Sequence, residues 1–77
     1  MEITCLFFGQ LAEVTGKLSQ KLTGITDTDD LKKRIQQQYP ALEKLTFSIA
    51  VNKKMIQQNT TLKPEDEVAL LPPFSGG

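Results

Sequence analysis

The sequence predicts an α+β fold: a mixed sheet of about five strands with one main helix packed on one face. About five short segments either alternate between apolar and polar residues or are rich in β-branched and aromatic residues, and both patterns favour strands. One longer segment carries apolar residues at helical spacing between a capping aspartate and a proline. The chain has 77 residues, which is enough for one small domain with a modest core.

The first strand is predicted over residues 2–8. Alternation directs Ile3, Cys5 and Phe7 to the core and leaves Phe8 partly exposed on the other face. A cysteine buried in a core behaves as a small, inert hydrophobic residue, so we expect no catalytic role for Cys5.

Residues 10–15 follow a glycine and are predicted to form one or two helical turns, with Leu11 and Val14 facing inward. Gly16 ends these turns, because glycine tolerates the left-handed conformation of a helix C-terminus. Residues 17–23 alternate between apolar and polar, and are predicted to form a second strand, antiparallel to the first and at an edge of the sheet.

The main helix is predicted to begin at Asp27, a good N-cap residue, with Asp30 in the position of a capping box. It should end at Tyr39, because the residue before Pro40 is driven away from helical conformation. The basic run Lys32–Arg34 is expected to be a solvated outer face. The apolar stripe that faces the sheet consists of Leu31, Ile35 and Tyr39.

The second half of the chain is predicted to add three strands. Residues 40–46 form a short irregular or 3₁₀ stretch over the end of the core, and the third strand occupies residues 47–52. A turn at 52–54 leads to a short return strand that begins at Met55, and residues 68–71 form the last strand. The inward-facing residues of these strands are Phe47, Ile49, Val51, Val68 and Leu70.

The face of the sheet turned away from the helix is unusually apolar for a surface that meets only water. Patches of this kind commonly mark a protein partner. The alternative is that a loop covers the face, or that these are isolated exposed apolar side chains, which are normal. The residues predicted on this face are Leu6, Phe8, Ala50, Ala69 and Leu71, joined by Met55.

The last six residues, Pro72-Pro73-Phe74-Ser75-Gly76-Gly77, are predicted to form a flexible tail that follows a domain of residues 1–71. Two prolines cannot continue a sheet, and six extended residues reach roughly 20 Å. Glycine has no Cβ, so Gly76 and Gly77 fit a channel too narrow for other residues. Such a tail suits a terminal carboxylate that is delivered into another protein's active site. The alternative is an ordinary frayed terminus.

Composition excludes several functions. Lys plus Arg (9) equals Asp plus Glu (9), which argues against nucleic acid or an anionic membrane as the main partner. There is no histidine, which removes the usual general base and the commonest metal ligand. A single cysteine, no visible secretory signal and no apolar run near ~18 residues favour a cytoplasmic protein. We therefore expect no metal site and no enzyme activity of the chain on its own.

Several stretches of the chain form a set that is familiar from one protein family. They are Leu6-Phe7-Phe8-Gly9, Leu11-Ala12-Glu13, Gly16, Ala50-Val51-Asn52, Asp66-Glu67-Val68-Ala69 and Pro72 to Gly77. Together they resemble the small, sulfur-carrier subunits of molybdopterin synthase, a ubiquitin-like family with the β-grasp fold. The acidic-Val-Ala-x-x-Pro-Pro-x-Ser-Gly-Gly ending is the most specific part of the match, and Ala12 departs from the arginine that many relatives carry there. The resemblance implies that the first and last strands lie parallel at the centre of the sheet.

The resemblance also implies a chemistry. An activating enzyme related to ubiquitin-activating enzymes adenylates the Gly77 carboxylate with Mg-ATP, and a sulfurtransferase system replaces AMP with sulfur. The resulting thiocarboxylate enters the large synthase subunit, where two carriers in turn supply the dithiolene sulfurs of molybdopterin to cyclic pyranopterin monophosphate. The synthase is a heterotetramer, and no cofactor is held permanently by the carrier.

The resemblance assigns roles to particular residues. Phe8, Met55 and Leu71 fall in the family's hydrophobic contact patch. Gly76 permits passage through the channel, and the segment Pro72-Pro73-Phe74-Ser75 holds the tail extended.

Three other functions remain open. The first alternative is a sulfur carrier for thiamine synthesis or tRNA thiolation. The second is a ubiquitin-like conjugation tag, and the third is a plain interaction module with an inert tail. The large partner that co-purifies distinguishes the carriers, and intact mass distinguishes a thiocarboxylate from conjugation to a whole protein.

Overall fold

The computed structural model describes residues 2–72, within which five strands form one sheet. The strand order is β2-β1-β5-β3-β4, with β1 parallel to β5 and the other pairs antiparallel. This confirms the predicted β-grasp fold with its parallel first and last strands. The elements in chain order are β1 (Glu2–Phe7), α1 (Gln10–Thr15), β2 (Ser19–Thr23), α2 (Thr28–Gln38), a 3₁₀ helix (Pro40–Lys44), β3 (Ser48–Val51), β4 (Lys54–Ile56) and β5 (Glu67–Leu71).

The core lies between the sheet and α2. Alternation in β1 and β5 places every second side chain against the helix, as predicted, and these side chains are almost completely buried. Tyr39 completes the helical stripe, and its ring meets that of Phe7 edge-on at 6.2 Å between centroids. The core residues of the two strands and α2 are Ile3, Cys5, Phe7, Val68, Leu70, Leu31 and Ile35.

The predicted capping of α2 is confirmed at Asp27, with one difference. The Asp30 N–H donates to Oδ1 of Asp27 at 2.8 Å, but Oδ2 of Asp30 accepts from the N–H of Thr26 at 3.3 Å instead of that of Asp27. The helix ends at Gln38, one residue earlier than predicted, because Tyr39 has already left helical dihedrals, with φ −126° and ψ 82°.

Several strand boundaries differ from the prediction by one or two residues. β2 begins at Ser19 and not at Lys17, because the Lys17 N–H bonds to the Thr15 hydroxyl oxygen in the turn after α1, at 3.3 Å. Leu18 therefore precedes the strand and is 78% exposed. β5 begins one residue early, at Glu67.

Two buried residues come from loops whose sequence carries no periodic signal. Ile25 is 1% exposed and Leu62 is 4% exposed. Their loops are joined by backbone bonds, including one from the Leu62 N–H to the Thr26 carbonyl oxygen at 2.9 Å. They close the end of the core beside the start of α2.

Candidate functional site

The face of the sheet opposite α2, here called the outer face, carries a row of apolar side chains that crosses four strands. The register pairs Leu6 of β1 with Ala69 of β5, Ala69 with Ala50 of β3, and Ala50 with Met55 of β4. Directly paired residues point to the same side of a sheet, so these four side chains share the outer face.

A second row crosses the outer face two residues further along β5, nearer the C-terminal end of that strand. Phe8 directly follows the Phe7–Leu70 pair, and its N–H donates to the Leu70 carbonyl oxygen at 3.2 Å. This position stands beside Leu71, which pairs with Ser48 on its other side. The two rows together form the outer patch, which consists of Leu6, Phe8, Ala50, Met55, Ala69 and Leu71.

The structure brings the predicted contact residues onto one face. Phe8 and Leu71 are neighbours, whereas Met55 lies in the adjacent row, two strands from β5. Phe8 is 44% exposed and Met55 is 48% exposed, while Leu71 is half-buried. Their assignment as partner-binding residues remains a prediction.

Ala50 corrects the predicted exposed set, because it is only 4% exposed. Its methyl group is short, and it stands between Met55 and Ala69, its pairing partners on the two flanking strands. A partner would meet Met55, the larger of these two neighbours, before it reached Ala50 itself.

The opposite end of the outer face is polar. Glu2 and Lys21 form an exposed ion pair at 3.7 Å, and Thr4 pairs with both Lys21 and Glu67. The outer face is thus divided into a charged half at the start of β5 and an apolar half at its end. The apolar half is the one beside Pro72, the last described residue.

Pro72, the first residue after β5, packs against Gly9. A Cβ built on Gly9 would lie 3.1 Å from Cγ of Pro72, and Gly9 has a φ of +54°. Counting two residues on from the Phe7–Leu70 pair, the parallel register brings Gly9 opposite Pro72. Sequence reasoning missed this contact, although a glycine at the end of the first strand was a visible signal for a close approach.

All residues of the predicted flexible tail except Pro72 lie outside the described residues. The division into a domain of residues 1–71 and a tail of 72–77 remains a prediction. The residues concerned are Pro73, Phe74, Ser75, Gly76 and Gly77.

A groove of about 290 Å³ lies elsewhere, between the start of α2 and the β3–β4 edge. A helix N-terminus attracts anions only where its N–H groups are available, and here they donate within the chain. The hydrogen bonds made by these N–H groups are Thr28 N–H to Thr60 O at 3.0 Å, Asp29 N–H to Asn59 Oδ1 at 2.9 Å and Asp30 N–H to Asp27 Oδ1 at 2.8 Å. The basic run Lys32–Arg34, which follows in α2, is exposed, as predicted.

The single thiol is withdrawn from solvent, as predicted. Cys5 is 0% exposed, and burial raises the pKa of its thiol to about 12, because the thiolate loses its hydration. Across residues 2–72, no three His, Cys, Asp or Glu side chains come together in a way that suits a metal ion. No helix in that part of the chain is long and apolar enough to span a membrane.

Comparison with known proteins gives a consistent set of similarities. Residues 5–77 match the ThiS family. The molybdopterin synthase sulfur carrier subunit of Chlamydomonas reinhardtii is 37% identical over 83 aligned positions, which cover 100% of both chains.

Two solved structures show the same fold. The small archaeal modifier protein 1 of Methanosarcina acetivorans superposes with a TM-score of 0.86 at 28% identity, over 99% of this chain and 96% of that one. A chain in the complex of subunits 1 and 2 of the molybdopterin-converting factor of Helicobacter pylori superposes with a TM-score of 0.74 at 30% identity, over 100% of both.

Proposed function

Because this chain belongs to the ThiS family, we propose that it is the sulfur-carrier subunit of a molybdopterin synthase. The observation that carries the proposal is the position of the outer patch, which lies at the end of the sheet beside Pro72, the first residue of the proposed tail. A protein that binds the patch therefore receives the tail at its own surface. The full-length match to a sulfur carrier subunit supports this choice.

The partner is the large catalytic subunit of the synthase. Half-exposed Phe8 and Met55 are large apolar side chains of the kind found at the desolvated centre of interfaces. The Helicobacter pylori neighbour is one chain of a complex of two molybdopterin-converting factor subunits, which supports a two-subunit assembly for this chain.

The chemistry begins at the Gly77 carboxylate. A carboxylate is a poor electrophile, so an activating enzyme must first convert it. A carboxylate oxygen attacks the α-phosphorus of Mg-ATP, pyrophosphate leaves, and an acyl adenylate forms. Hydrosulfide supplied by a sulfurtransferase system then attacks the acyl carbon and AMP leaves, so that one difficult step is divided into easier ones.

The product is a thiocarboxylate, a soft anionic nucleophile that needs no base from the carrier. In the large subunit its sulfur attacks a carbon of cyclic pyranopterin monophosphate as a bond from that carbon to oxygen breaks, and the oxygen leaves on the phosphate or as water. Water then breaks the acyl–sulfur bond and regenerates the Gly77 carboxylate. Two carriers in turn supply the two dithiolene sulfurs. Gly76 passes the channel, and Pro72, Pro73, Phe74 and Ser75 keep the segment extended.

The test is mass spectrometry of the C-terminal peptide after incubation with the activating enzyme, Mg-ATP and a sulfide source. We expect one oxygen of Gly77 to be exchanged for sulfur, and molybdopterin to form when the large subunit and its substrate are added. A variant with one extra residue after Gly77 is the matched control, which should fold normally and carry no sulfur. An unmodified C-terminus in the native chain, or full activity in the extended one, would refute the proposal.

A second candidate is a conjugation tag, which is favoured by the name of the archaeal neighbour, a modifier protein. In that case Gly77 would form an isopeptide bond to a lysine, and intact mass would rise by that of a whole protein. A carrier for thiamine synthesis or tRNA thiolation would instead co-purify with a different large partner. If deletion of Gly76 and Gly77 changed nothing, the chain would be a plain interaction module.

A further inference from the structure

The sulfur atoms of this chain differ sharply in their access to solvent. The chain has one cysteine and two methionines. Cys5 is 0% exposed, whereas Met55 is 48% exposed. Within residues 2–72, Met55 therefore holds the one sulfur that an oxidant in solution reaches without unfolding the domain.

We propose that Met55 is an oxidation site that controls docking of the outer patch. In the free carrier a hydroperoxide converts the Met55 thioether to a sulfoxide, and the sulfoxide weakens binding to the large synthase subunit. The effect on docking rests on the proposed function, whereas the site of oxidation does not.

The chemical step balances with the hydroperoxide as oxidant. The thioether sulfur attacks one peroxide oxygen, a sulfur–oxygen bond forms as the oxygen–oxygen bond breaks, and the leaving oxygen departs as water or an alcohol. Sulfur loses two electrons and the peroxide gains them. A methionine sulfoxide reductase reverses the step with two electrons from thiols.

The position of Met55 explains why a single oxygen atom matters. Its cross-strand neighbour is Ala50, which is followed across the sheet by Ala69. Because both of these residues are small, Met55 is the one large side chain at the β4 end of the row. A partner that covers the row must therefore cover the Met55 sulfur.

A sulfoxide oxygen is a strong hydrogen-bond acceptor, and burying it without a donor is costly. In the free carrier this oxygen faces water, so the fold should tolerate it. We expect the oxidised carrier to bind the large subunit roughly tenfold less tightly or worse.

The first experiment locates the oxidation. The full chain is treated with hydrogen peroxide and cleaved, and its fragments are weighed. Fragment masses are needed because gaining an oxygen and exchanging oxygen for sulfur change the intact mass by nearly the same amount. We expect a sulfoxide at Met55 and an unmodified Cys5 thiol. If Met55 stayed intact in the native chain under conditions that oxidise it in the unfolded chain, the inference would fail.

The second experiment measures the effect on binding to the purified large subunit. We expect peroxide to weaken binding of the native chain and a reductase to restore it, whereas the affinity of Met55→Leu should be the same before and after treatment. Met55→Gln, which places a polar group there without oxidant, should bind weakly. Equal binding of the oxidised and untreated chains would overturn this inference alone. Failure of the untreated chain to bind would overturn the proposed function.

Discussion

Asn52 and Glu67 exchange two hydrogen bonds that attach the β3–β4 turn to the start of β5. The Asn52 N–H donates to the Glu67 carbonyl oxygen at 2.7 Å, and the Glu67 N–H donates to Oδ1 of Asn52 at 3.0 Å. The Asn52 side chain also donates to Oδ1 of Asp66 at 2.9 Å. Asn52 has a φ of 50°, a left-handed conformation that asparagine tolerates better than most residues.

Replacing Asn52 with alanine should destabilise the domain by about 1–3 kcal/mol, because two side-chain hydrogen bonds and the left-handed preference are lost together. Lys53→Ala is the matched control. It alters a second left-handed residue of the same turn, with φ 70°, and should change stability by less than about 0.5 kcal/mol. Urea unfolding measures both variants, and equal losses would contradict this account.

Asp66 should make stability depend on pH at the acid end. The Lys63 N–H and then the Asn52 side chain hold its pKa below the usual 3.8. The folded state therefore binds the carboxyl proton of Asp66 less tightly than the unfolded state does. The contribution of the ionised carboxylate to the free energy of unfolding is present above pH 3.8 and is lost as the pH falls through the folded-state pKa.

The measurement is urea unfolding of the native chain and of Asp66→Asn at about pH 6 and about pH 2. The native chain should exceed the variant in stability by more at the higher pH, because the variant has no carboxyl to protonate. A difference between the two chains that does not change with pH would show that the Asp66 charge is not responsible.

Phe8→Ala should weaken binding to the large synthase subunit by about 2 kcal/mol, as expected of an aromatic residue at an interface centre. The midpoint of thermal unfolding of this variant should differ little from that of the native chain, because Phe8 is 44% exposed in the free chain. Leu18→Ala removes another exposed apolar side chain, one outside the outer patch, and should bind normally. Calorimetric titration of both variants tests this, and equal weakening would argue against the outer patch.

Cys5 should resist alkylation by iodoacetamide in the native chain at about pH 8 and react readily in denaturant. Burial blocks access to the sulfur and raises the thiol pKa from 9.0 to about 12. Because this pKa is higher in the folded than in the unfolded state, the protonated thiol contributes to the free energy of unfolding. That contribution is fully present below pH 9.0 and declines as the pH rises towards 12. Labelling of the native chain at the rate of the unfolded one would contradict this burial.

The sequence determined those features that are written within single segments. Alternation in residues 2–8 and 68–71 correctly assigned the buried and outer side chains of both central strands. Asp27 and Pro40 bounded the main helix to within a residue. These signals are readable because strand alternation, helix capping and the proline effect each act over a few neighbouring positions.

Only the tertiary structure decided which segments meet. Parallel pairing of β1 with β5 puts Phe8 beside Leu71 and Pro72 against Gly9, and before the structure this pairing rested on resemblance alone. The burial of Ala50 and of the loop residue Leu62 was likewise invisible in the sequence. The physical reason is that pairing and burial depend on contacts between segments far apart in the chain, whose free energy no local pattern records.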